Sequence, residues 1–73
     1  MDLKEVKIKQ IFQEYQYEIE GLYQMDIGGT KSYIVYLHDN RIITLTFLNA
    51  INRLLCCYEI IVKEDCIVIQ YEK

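Results

Sequence analysis

The run TFLNAINRLLCCY, from Thr46 to Tyr58, decides how this chain is read. At helical spacing Phe47, Ile51, Leu54, Leu55 and Tyr58 fall on one stripe, with Leu48 and Ala50 beside it. Asn49, Asn52, Arg53 and Cys56 share a narrow polar face. A helix that is apolar around most of its girth must be buried on more than one side or meet a partner. Phe47, Leu48, Ile51, Leu55 and Tyr58 are therefore the expected contacts of a subunit interface.

Upstream of this helix the period is two. Tyr15, Tyr17, Ile19, Gly21, Tyr23, Met25 and Ile27 alternate with Gln16, Glu18, Glu20, Leu22, Gln24 and Asp26. The alternation predicts a long, half-buried antiparallel strand with an acidic outer face. Leu22 alone breaks the pattern, next to Gly21, and marks a bulge or a close backbone approach. Gly28-Gly29 supplies the positive φ angles of a hairpin turn. Lys31 to His38 returns as a second strand, with Tyr33, Val35 and Leu37 on one side and Ile34 and Tyr36 on the other. Asp39-Asn40 reads as a second turn, Arg41 to Leu45 as a third strand, and Thr46 as the helix cap.

Beyond the helix, Glu59–Lys63 and Cys66–Tyr71 flank Lys63-Glu64-Asp65 as a closing hairpin. At the other end, Asp2 with Glu5 forms a capping box, and Ile8, Ile11, Phe12 and Tyr15 share a helical face, so residues 2–13 are expected to form a short helix. Against that, the alternation of Val6 with Ile8 is strand-like. The expected fold class is α+β, a single domain over residues 1–73. A small antiparallel sheet of about five strands in the order β-β-β-α-β-β carries a central amphipathic helix and a short N-terminal one.

Length and composition limit what such a domain can be. A chain near 73 residues buries only ~60% of the surface its unfolded form exposes, and so leans on a staple, a metal or a second subunit. Cys56, Cys57 and Cys66 cannot all pair within one chain, and residues 1–9 do not read as a secretion signal. Reduced thiols and a cytoplasmic location follow as expectations. No run approaches the roughly 20 apolar residues of a membrane span. With 52% hydrophobic residues and apolar side chains on both faces of most strands, the chain is expected to be a homodimer. A dozen isoleucines and seven tyrosines against one alanine and no proline point to AT-rich codons, hence to a low-GC bacterium or a phage.

The chemistry-bearing residues are sparse. Adjacent Cys56 and Cys57 point ~100° apart on a helix, a poor start for a tetrahedral metal site with Cys66 and His38. His38 is the only histidine and Ser32 the only serine, both near turns, so no cofactor, metal or catalytic group is expected and the chain reads as a non-enzyme. Gly28-Gly29-Thr30-Lys31-Ser32 lacks the glycine spacing and the following helix of a phosphate loop. Lys4, Lys7 and Lys9 are the only basic cluster, too small for a nucleic-acid footprint.

What remains is acidic. From Gln10 to Thr30 the chain carries Glu14, Glu18, Glu20 and Asp26 and no lysine or arginine. On one strand face, alternate residues lie about 6.6 Å apart, comparable to successive phosphates. Glu14, Glu18, Glu20 and Asp26, flanked by Tyr17 and Tyr23, are thus the expected partner-binding residues. The function they imply is a small regulator or inhibitor that engages a basic, DNA-binding protein by nucleic-acid mimicry. The alternatives are a nucleic-acid-associated regulator that uses the three lysines and exposed tyrosines, and a structural subunit of a larger assembly.

Overall fold

A computed structural model describes residues 3–27, 29–38, 42–56 and 59–71. The chain folds as α1 (Leu3–Glu14), β1 (Ile19–Ile27), β2 (Thr30–Leu37), α2 (Leu45–Leu55), β3 (Glu59–Val62) and β4 (Cys66–Gln70). The four strands form one antiparallel sheet in the spatial order β1-β2-β4-β3. The α+β class expected from periodicity is the one the chain adopts.

α1 forms as the Ile8, Ile11, Phe12 and Tyr15 spacing favoured, against the strand-like alternation of Val6 with Ile8, and Ile8, Ile11 and Phe12 are its buried residues. It stops at a Schellman turn. Gln16 takes a left-handed φ of 64°, its N–H donates to the Gln13 carbonyl at 3.0 Å, and the Tyr17 N–H donates to the Phe12 carbonyl at 2.8 Å. The usual apolar contact of that motif is present as well, with the rings of Phe12 and Tyr17 edge to face at 6.4 Å. This reversal is why the first strand begins at Ile19 rather than at Tyr15.

α2 starts two residues earlier than expected. Thr44, in extended conformation, accepts a hydrogen bond on Oγ1 from the Phe47 N–H at 3.1 Å, so Thr44 is the cap and Thr46 lies inside the first turn. Thr44→Ala is expected to cost about 1 kcal/mol, read as a lower urea midpoint at unchanged slope. The expected third strand is replaced by irregular chain at residues 42–44 and by the helix start at Leu45, so the sheet has four strands, not five. Its place is filled: both edges of β2 are taken, by β1 and β4. At its other end α2 closes on Cys56, whose φ of 51° is left-handed and whose N–H donates to the Asn52 carbonyl at 3.1 Å. Arg41, Cys57, Tyr58 and the Asp39-Asn40 turn lie outside the described residues.

Both helices lie on one face of the sheet. Tyr33 and Val35 of β2 and Ile67 and Ile69 of β4 meet Ile8, Ile11 and Phe12 of α1 and Phe47, Ile51 and Leu55 of α2 in a single buried cluster. Phe12 and Phe47 touch edge to face at 4.9 Å across the helix pair. The part of the α2 stripe made by Phe47, Ile51 and Leu55, expected at a subunit interface, is therefore spent inside the chain, while Leu54 stays 51% exposed. Phe47, Ile51 and Leu55 are buried, Leu48 is half-buried, and Tyr58 is not among the described residues. Exposed apolar side chains remain on both sides: Tyr23, Met25 and Tyr36 on the opposite face of the sheet, and Leu3, Ile42, Leu45 and Leu54 on the helices and the segment before α2.

Candidate partner-binding surface

The placement of the acidic residues follows from one irregularity. In β1 the register against β2 slips between Ile19 and Gly21, where Glu20 is the extra residue. Ile19 pairs with Leu37, but Gly21 pairs with Tyr36 and Leu22 with Val35. A one-residue slip turns every later side chain to the other face. After the bulge Leu22, Gln24 and Asp26 share the helix-side parity of Val35 and Tyr33, while Gly21, Tyr23 and Met25 join Ser32, Ile34 and Tyr36 on the open face.

The open face is apolar at its centre. Across it run Tyr23 and Met25, then Ile34 and Tyr36, then Val68, then Ile61. Tyr23 is 58% exposed, Met25 42% and Tyr36 36%. The two tyrosine rings meet edge to face at 5.7 Å, an arrangement that favours both ring quadrupoles. Gly21 makes room for this: a Cβ there would lie 2.9 Å from Cε2 of the Tyr23 ring. An open groove of about 670 Å³ follows these side chains, with Glu20 and Asp65 among its lining. Ser32 is buried on the same face, and its hydroxyl has no hydrogen-bond partner among the described residues.

The predicted site residues divide. Tyr23 and Glu20 stand on this surface, and Glu18 lies just before it, its carbonyl accepting from the His38 N–H at 2.8 Å. Glu14 is the last residue of α1, beside Lys7, Gln10 and Leu54, and Asp26 stands at the far end of β1, in register with Lys31. Tyr17 is a core residue, stacked on Phe47 at 4.2 Å with its hydroxyl donating to the Ile42 carbonyl at 2.9 Å. The four acids therefore do not form one evenly spaced row. Met25, Ile34 and Tyr36 were not among the expected contacts. The apolar Ile34 and Tyr36 side of β2 was the signal for them, once paired with the Leu22 break.

A second groove, about 520 Å³, runs between α1 and the start of β1, where Glu5, Lys9 and Gln13 face Glu18, Glu20 and Leu22. Three carboxylates and one ammonium line it, so its charge is negative. Of the described thiols, Cys56 is exposed and Cys66 buried. Burial first, and then the negative charge of Asp65, push the Cys66 thiol above its ordinary pKa. A raised value keeps the thiol protonated, which suits a packing residue and not a nucleophile.

Among the described residues, no three or more His, Cys, Asp or Glu are grouped to hold a metal ion, and no helix is long and apolar enough to cross a membrane. No protein-family model matches the chain, and neither a curated protein nor a solved structure matches it.

Proposed function

We propose that this chain is a non-enzymatic protein-binding module, a regulator or inhibitor, that pairs with a second copy through the open face of its sheet and offers acidic β1 to a basic partner. The observation that carries this reading is the position of both helices on one face. It leaves Tyr23, Met25 and Tyr36 in water beside a strand whose only charges are negative. Exposed aromatic and methionine side chains at the centre of a patch, with charge at its margin, are the composition of an interface.

The acids act by attraction rather than by copying the spacing of a phosphate backbone, since the bulge and the end of α1 break the row. A nucleic-acid-binding role is less well served. Lys4, Lys7 and Lys9 lie on α1, on the helix side, with Lys4 held 4.3 Å above the Tyr71 ring. The exposed Tyr23 and Tyr36 lie on the other side, so these three lysines share no surface with them. A purely structural subunit would draw on the α2 stripe, of which Phe47, Ile51 and Leu55 are already buried and Leu54 is left exposed.

The test is affinity capture from a lysate with the wild type and with the Glu18→Lys/Glu20→Lys variant side by side. Both side chains are exposed, so the variant is expected to fold as the wild type does. Basic proteins retained by the wild type are expected to be lost from the variant. Retention of the same proteins by both would reduce the acids to a solvated surface.

A further inference from the structure

β1 is an edge strand. It spans nine residues and, among the described residues, pairs with β2 alone. The phase of its backbone can be read from the far side of β2. There the Lys31 carbonyl accepts from the Tyr71 N–H at 2.9 Å, so Lys31 turns its peptide groups away from β1. In an antiparallel ladder the residue opposite does the same in the other direction. Asp26 is opposite Lys31. Asp26, and by alternation Gln24 and Leu22, therefore aim their N–H and C=O groups at the free edge.

A backbone edge of this length is a template for another strand. A second copy of the same strand is a poor occupant. Self-pairing would bring Glu20 and Asp26 of two chains to one seam with no cation of β1 to offset them, and like charges brought together across a strand pair are destabilising. The groove that borders this edge carries Glu5, Glu18 and Glu20 against the single Lys9. Charge thus rejects self-pairing and favours a cationic strand.

We propose that β1 is a strand-addition site, at which an extended basic segment of a partner protein pairs antiparallel to Leu22, Gln24 and Asp26. This deepens the reading of the chain as a binder of basic proteins and rests on it. Main-chain hydrogen bonds supply the affinity in such a complex, and alternate side chains supply the selection. Side chains of the added strand on the helix side meet Asp26, Gln24 and the acidic groove, so lysine or arginine fits there. Side chains on the other side extend the Tyr23 and Met25 surface, so an apolar residue fits there. The segment recognised is an alternating basic and apolar one.

The probe is a peptide of alternating lysine and valine matched to the nine residues of β1, with two versions N-methylated either at every lysine or at every valine. Binding is followed by titration and by amide hydrogen exchange of the protein. In the free protein the Leu22, Gln24 and Asp26 amides are expected to exchange faster than those of Tyr23 and Met25. The unmethylated peptide is expected to slow the first three. An antiparallel added strand presents its lysine N–H groups to β1, so lysine methylation is expected to weaken binding by about tenfold or more, and valine methylation to spare it. Binding indifferent to the site of methylation overturns strand addition while leaving the binder of basic proteins standing. A flat titration with all three peptides overturns both.

Discussion

Phe47→Ala is expected to remove a large part of the domain's stability. Phe47 is wholly buried and touches three rings at once: Phe12 at 4.9 Å, Tyr15 at 5.2 Å and Tyr17 at 4.2 Å. Removing a buried phenylalanine costs about 3–5 kcal/mol, the lost transfer energy plus the cavity left behind. A domain of this length holds roughly 4–11 kcal/mol in all, at about 0.05–0.15 per residue. The cavity would open between the two helices, under the point where the Tyr17 hydroxyl ties down the Ile42 carbonyl ahead of the Thr44 cap. Collapse around it is hindered, because Tyr17 must give up either its stacking or its hydrogen bond to move in. Circular dichroism against urea gives the answer. A midpoint close to wild type would mean that Phe47 is not the keystone of the core. Phe47→Leu, which keeps most of the volume, is expected to lose less.

Tyr23→Lys/Tyr36→Lys is expected to do the reverse: keep the fold and abolish the proposed pairing with a second copy. Both rings are exposed in the single chain, so their loss withdraws little from its core. Between two copies they would be buried, and tyrosines at the centre of an interface are worth on the order of 2 kcal/mol each. Two introduced charges on each chain would also be desolvated and face their own kind. Dimerisation is expected to weaken by on the order of a hundredfold or more. Sedimentation equilibrium distinguishes the states. A wild type that remains a single chain at concentrations on the order of 10 µM, or a variant that still pairs, removes the open face from the argument.

Local pattern reached most of the architecture. The Ile8, Ile11, Phe12 spacing and the Phe47, Ile51, Leu54, Leu55 stripe each specify a helix face, and both faces are buried within the chain except at Leu54, which stays exposed. What local pattern could not carry was the choice among partners for those faces. Thr44 and Thr46 both suit a helix cap, and the one used depends on how the chain arrives from the Tyr17–Ile42 contact. Ile42 and Ile43 look like strand residues, yet β2 offers them no vacant edge; Ile42 is left 85% exposed.

The candidate surface shows the same limit. Gly21 and Leu22 announced an irregularity, but its effect is non-local, since it is the pairing with Tyr36 and Val35 that reveals the change of face. Tyr17 and Tyr23, six positions apart and alike in the alternating pattern, therefore end in the core and in water respectively. The even row of acids depended on an unbroken strand and does not survive the slip.

The negative charge of β1 has a consequence for the chain's behaviour in company. Electrostatic repulsion between exposed carboxylates acts over a Debye length, about 8 Å at physiological ionic strength and about 3 Å in molar salt. Glu20 and Asp26 thus police an otherwise sticky border in dilute solution, and electrolyte disarms them. In concentrated salt the proposed strand-addition edge is expected to turn toward its own kind, and the proposed dimer, with one such border on each chain, would have two ends from which a filament can grow.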